Sequence, residues 1–220
     1  MEDRPARLEL LKEEASGCTR CRLAEGRTQV VFGVGNPDSE LMFVGEAPGF
    51  HEDKQGYPFV GQAGKLLDKL LGGIGLTRAD VYIANVLKCR PPGNRDPQPD
   101  EIEQCETYLF RQIEAIEPKV VATLGNFATK LLSGKQLGIT RVHGQAQEVT
   151  LGGRRVVLYP LYHPAAALYT PKMLEVLAED FRRIPALISR ELLAPEPVPD
   201  HPELAIAAPV AEPAVQLGLF

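Results

Sequence analysis

The sequence predicts an α/β protein, a three-layer α/β/α sandwich around a central, mainly parallel four-stranded sheet. Two observations carry this. The apolar runs Leu41–Val44, Val81–Val86, Val120–Leu124 and Val156–Tyr159 have the length and near-continuous apolar character of strands buried on both faces. Between them lie stretches with apolar residues at helical spacing, and strands that alternate with helices form a parallel sheet covered on both sides.

In chain order, Ala6–Ala15 predicts an opening helix, followed by the first strand at Leu41–Val44. Ala63–Leu71 repeats apolar positions at helical spacing and leads to the second strand. Pro99–Ile116 starts with acidic residues, which suit the positive end of a helix, and continues as a long helix into the third strand. Phe127–Leu132 is a shorter helix before the fourth strand, and Met173–Ile188 closes the fold. In sheets of this kind ligands bind beyond the carboxyl ends of the strands.

The chain has 220 residues, 44% hydrophobic and 24% charged, enough for one ordinary core. No segment reaches the ~20 apolar residues of a membrane span. Residues 1–194 are expected to form one domain. Residues 195–214 hold six prolines, five alanines and four carboxylates without a lysine or arginine, so 195–215 is expected to be a disordered linker. Four of the five net negative charges come from Glu196, Asp200, Glu203 and Glu212, leaving residues 1–194 near neutral. An anionic partner is therefore compatible with the body. Lys88, Arg90, Arg95, Arg141, Arg154, Arg155, Lys172, Arg182 and Arg183 could form a phosphate-facing stripe or a solvated surface.

The four cysteines are Cys18 and Cys21 in a Cys-x-x-Cys run, then Cys89 and Cys105. The opening Met1-Glu2-Asp3-Arg4-Pro5 has no apolar signal core, so a cytoplasmic location is expected and disulfides are not. The first pair suits zinc and iron-sulfur sites alike. A zinc ribbon closes with a second short-spaced pair, so the wide Cys89–Cys105 separation favours an iron-sulfur cluster. Separate buried thiols remain the plain alternative.

Polar motifs follow the strands. After the first come Gly45-Glu46-Ala47-Pro48-Gly49 and Gly56-Tyr57-Pro58-Phe59-Val60-Gly61. The glycines let a ligand approach the backbone. Neither a phosphate loop nor a dinucleotide fingerprint fits, and Glu46, Glu52 and Asp53 suit water activation or cation stabilisation instead. The second strand ends at Asn85, whose amide could pair with a base edge or make a local turn. After the fourth comes His163-Pro164, where the imidazole could donate to a developing anion or serve as a cap.

Together, Gly45-Glu46-Ala47-Pro48-Gly49, Gly56-Tyr57-Pro58-Phe59-Val60-Gly61, Asn85, Cys89-Arg90-Pro91-Pro92 and His163-Pro164 closely resemble family 4 of the uracil-DNA glycosylase superfamily, the iron-sulfur uracil-DNA glycosylases. The resemblance runs from about Leu8 to Ile188. It implies an enzyme that flips uracil from DNA, hydrolyses its N-glycosidic bond and leaves an abasic site for base excision repair. It also implies a 4Fe-4S cluster on Cys18, Cys21, Cys89 and Cys105. Phe59 would stack on the base, Asn85 would read its pairing edge, and His163 would contact its O2. Glu46 and Ala47 would line the pocket, with Glu46 or Glu52 helping the water and Asn94 close by. Arg90 and Arg95 are candidate DNA contacts, and Leu168 is a candidate wedge for the vacated stack. Phe50-His51 departs from the more acidic run typical of the family. Some similar proteins trap the abasic sugar through a histidine in a basic insertion, which Arg90–Asp96 lacks, so turnover is expected.

The chain ends Gln216-Leu217-Gly218-Leu219-Phe220, similar to the peptide by which bacterial proteins bind the sliding clamp. Gln216, Leu217, Leu219 and Phe220 would make that contact, with 195–215 as tether. A monomer is expected, with no membrane association. The competing readings are a DNA-damage-binding module without catalysis and a zinc-stabilised hydrolase, which would need Glu46 or His163 beside the metal.

Overall fold

The computed structural model describes residues 3–190. The expected linker at 195–215 and the expected clamp peptide at 216–220 lie outside the described residues. In chain order the elements are α1 (Arg4–Ser16), α2 (Leu23–Gly26), β1 (Val34–Gly35), β2 (Leu41–Gly45), α3 (Phe50–Gln55), α4 (Gln62–Gly72) and β3 (Tyr82–Asn85). A short 3₁₀ turn at Pro92–Asn94 precedes α5 (Pro99–Ile116), β4 (Val120–Leu124), α6 (Asn126–Ser133) and α7 (Ile139–Val142). β5 (Gln147–Leu151), β6 (Arg154–Leu161), α8 (Pro164–Ala167), α9 (Pro171–Arg182) and α10 (Ile184–Ile188) complete the described chain.

The sheet has six strands in the order β1-β3-β2-β4-β6-β5, not four. The predicted strands are its centre: β3, β2, β4 and β6 run parallel. β1 and β5 add antiparallel edges, which makes the sheet mixed. β5 alternates polar and apolar residues, as an edge strand with one wet face does, and so lacks the continuous apolar run that marks a central strand. Gly152 and Gly153, both at positive φ, make the two-residue connection to β6. Their conformation matches the tight turn whose twist suits a hairpin.

Alternation along each strand divides the core in two. Met42 and Val44 of β2 face Leu8, Leu11, Leu109 and Ile113 of α1 and α5. Leu41 and Phe43 face Leu67 and Leu71 of α4 and Phe181 of α9. The sheet is thus covered on both faces.

The helix predicted over Met173–Ile188 is two helices. Pro185 sits in the first turn of α10, where its missing N–H is harmless, whereas inside a continuous helix it would remove a bond. α5 follows its predicted span. Gln98 and Glu101 exchange side-chain and backbone bonds in a capping box, and Pro99 opens the first turn. Among the described residues no helix is long and apolar enough to cross a membrane.

Candidate active site and thiol pocket

β2 and β3 are registered so that Gly45 lies opposite Asn85 at their carboxyl ends. A side chain at position 45 would lie 2.4 Å from Asn85 Oδ1 and 2.8 Å from Phe59 Cζ. Glycine is therefore what lets Asn85 and Phe59 approach each other across the strand end. Phe59 arrives in the left-handed region, φ 55°, which is uncommon for a bulky residue. Arg78 holds it there: its guanidinium donates to the carbonyls of Pro58, at 3.1 Å, and Phe59, while Nε donates to Asp68 at 2.5 Å.

From the end of β6, His163 brings its ring 5.6 Å from that of Phe59, 29° from parallel. The Ala165 N–H donates to His163 Nδ1 at 3.1 Å. A neutral imidazole that accepts at Nδ1 carries its proton on Nε2 and can donate from there. Burial holds the imidazole below its ordinary pKa, against the opposing pull of Glu52.

These groups line a cleft of about 480 Å³ with Glu46, Ala47, Glu52, Asn94 and Arg95. Asn85 and Phe59 are buried. Burial, and then the Asp96 charge, raises the Glu46 carboxyl. Glu52 accepts from the Val60 and Gly61 N–H groups at 3.1 and 3.3 Å, so one of its oxygens braces the loop that presents Phe59. A larger groove of about 830 Å³ between α1 and residues 27–37 is lined by neither histidine nor asparagine.

The three expected DNA contacts have different surroundings. Arg90 donates to Asn94 Oδ1 at 2.6 Å at the mouth of the cleft. Arg95 commits both terminal nitrogens to the fully buried Glu101, at 2.9 and 2.5 Å, and so supports the capping of α5. Leu168 is partly buried, while the adjacent Tyr169 is 87% exposed. Lys88 does not belong to any phosphate-facing stripe, because it is 1% exposed.

The four cysteines line one separate pocket with Arg20, Arg27, Lys88 and Tyr108. Arg27 donates to Cys89 Sγ at 3.5 Å and the Lys88 N–H to Cys105 Sγ at 3.2 Å. Burial pushes Cys89 up to about 11 and raises Cys105. At Cys18 burial is outweighed by bonds from Arg20 and Tyr108, and the thiol is lowered. Four sulfurs among three basic residues match the donor set and charge of a tetrathiolate centre. Among the described residues no three or more His, Cys, Asp or Glu side chains gather tightly enough for a single ion. Neither Glu46 nor His163 lines this pocket, so the zinc-hydrolase arrangement is not formed.

Sequence reasoning missed Arg78 and the buried side chain of Lys88. Arg78 stands outside every motif, and nothing in the chain marked it. For Lys88 a signal existed: it continues the apolar run into Leu87.

A strand-end cleft with a buried aromatic, an amide and an imidazole brings together the stacking face and hydrogen-bonding groups that a flat polar ring requires. The uracil DNA glycosylase superfamily model matches residues 32–184, and the chain belongs to that superfamily. Similar proteins within it include several type-4 uracil-DNA glycosylases. That of Sulfurisphaera tokodaii is 50% identical, covering 80% of this chain and 83% of the relative. That of Archaeoglobus fulgidus is 48% identical over 84% and 94%, and that of Thermotoga maritima 43% over 84% and 96%.

Proposed function

We propose that the cleft at the ends of β2, β3 and β6 is where this uracil-DNA glycosylase holds an everted uracil and hydrolyses its N-glycosidic bond. The observation that carries the reading is the convergence of Phe59, Asn85, His163 and Glu46 on one cleft. Phe59 stacks on the base and Asn85 pairs with its edge. Bond cleavage leaves a cation-like sugar and a negatively charged base. His163 Nε2–H donates toward the O2 where that charge grows, a role worth about 3 kcal/mol for a preorganised donor. Glu46 orients the water: a carboxylate with a raised pKa is the better base, and Glu52 is already occupied with the Val60–Gly61 backbone. Asn94 and Arg90 contact the strand at the mouth, Arg95 supports them through Glu101, and Leu168 fills the vacated stack.

Cys18, Cys21, Cys89 and Cys105 hold a 4Fe-4S cluster whose contribution is structural. It ties the amino-terminal segment to the loop after Asn85 and to α5. The chain acts as a cytoplasmic monomer, tethered to the sliding clamp through Gln216, Leu217, Leu219 and Phe220.

Release of free uracil from a labelled oligonucleotide tests the catalytic reading. His163→Ala and Asn85→Ala are each expected to slow release at least about tenfold, in line with the loss of one oriented donor, while DNA binding persists. Near-normal rates in both variants would reject it, and binding without release by the native chain would leave only a damage-binding module. Truncation before Gln216 is expected to abolish clamp binding and preserve excision.

A further inference from the structure

The six-residue helix α3 sorts its side chains by chemistry. Asp53 is buried and accepts the Thr28 N–H at 2.9 Å, and Glu52 turns to Val60 and Gly61. The exposed residues are Phe50, His51, Lys54 and Gln55, with Phe50 50% exposed. The Arg90 guanidinium lies 5.1 Å from the centroid of the Phe50 ring and the Lys54 ammonium 5.9 Å. His51 meets the same ring edge-on, with centroids 5.5 Å apart.

This cluster adjoins the cleft. Gly49, the residue before Phe50, lines it, and so does Asn94, which Arg90 holds at 2.6 Å. A large, half-exposed ring with two cations near it is complementary to a partner that is anionic and carries flat apolar faces. Unpaired nucleic acid has both, and proteins that bind it combine basic groups with aromatic platforms. Inside a duplex the base faces are already stacked, so only the phosphates remain available to such a surface.

We propose that Phe50, Arg90 and Lys54 form a docking surface for unpaired DNA next to the everted nucleotide. The ring takes the face of the neighbouring base and the two cations meet its phosphates. The surface favours uracil in single strands over uracil in duplexes. This rests on the reading of the cleft as the uracil pocket.

Two measurements on the full chain test it: binding to uracil-free single-stranded and duplex oligonucleotides, and kcat and KM for uracil release from both forms. Loss of one stacked base is expected to weaken single-strand binding and raise the single-strand KM about tenfold in Phe50→Ala, with kcat unchanged and duplex KM shifted less than about threefold. Phe50→Trp, which keeps a stacking face, is expected to stay at or below the native KM. Lys54→Gln is expected to weaken both forms alike and to reduce the salt slope by about 1. Equal shifts on both forms in Phe50→Ala, or none on the single strand, would overturn the proposal. Because Phe50 is exposed, folding is not at stake. If the native chain releases no uracil, the reading of the cleft fails, and the uracil-free oligonucleotides still decide the surface.

Discussion

The ammonium of Lys88 donates to the backbone carbonyl of Asn85 at 2.8 Å. It also donates to Gln112 Oε1 at 2.6 Å, and Gln112 in turn donates to the Phe32 carbonyl at 3.0 Å. The same residue's N–H reaches Cys105 Sγ. One buried side chain thus joins the strand end that presents Asn85 to α5 and to the thiol pocket.

Lys88→Met keeps the volume and removes the donor, leaving the Asn85 carbonyl and the Gln112 side chain buried without it. An unsatisfied buried group costs about 1–3 kcal/mol, so we expect a loss of at least about 2 kcal/mol in denaturant unfolding together with slower excision. An unchanged midpoint would show that the network contributes nothing.

The depressed pKa of His163 sets a pH dependence. Its ordinary value is about 6.5, and the folded value lies below it. As the pH falls through the ordinary value the unfolded chain takes up the proton first, so this group removes stability between the two values and the loss is complete below the folded one. In kcat/KM for uracil release, the neutral donor form should persist below about 6.5 before activity falls. An acid limb at or above that value, or an identical limb in His163→Gln, would contradict the assignment.

Arg78 should matter although it lies outside the cleft lining. Without its bonds to the Pro58 and Phe59 carbonyls, Phe59 can leave a conformation that costs about 1–3 kcal/mol. Arg78→Ala is expected to lower kcat/KM about tenfold, a 1.4 kcal/mol effect. Arg78→Lys, which cannot reproduce the forked contact, should recover little. A native kcat/KM in Arg78→Ala would exclude the positioning role.

Purified protein should be brown, with broad absorbance near about 400 nm from thiolate-ligated iron. Stripping the iron, or changing Cys105 to Ser, should lower the melting temperature as well as activity, because the ligands come from three separate stretches of chain. Colourless protein with stoichiometric zinc would refute the cluster.

The central strands were legible because burial on both faces leaves an apolar run that needs no context. β1 was not, since two residues carry no periodicity. β5 could have been found from Gly152-Gly153 between two β-prone segments, a local signal that the search for apolar runs passed over. That Phe59, Asn85 and His163 line one cleft was legible through their motifs. Which carboxylate the Val60 and Gly61 amides turn toward was not, because that depends on how the loop folds back on α3. Lys88 was misread as surface because charge alone does not reveal that three partners await it indoors.

The matched region begins at residue 32, yet Leu8, Leu11, Ala15 and Leu23 are packed into the interior before that point. The border of the family model and that of the packed interior therefore differ here. A fragment trimmed to the former would strip α5 of its cover and lose half the thiols, so expression and crystallisation work should retain the whole amino-terminal arm.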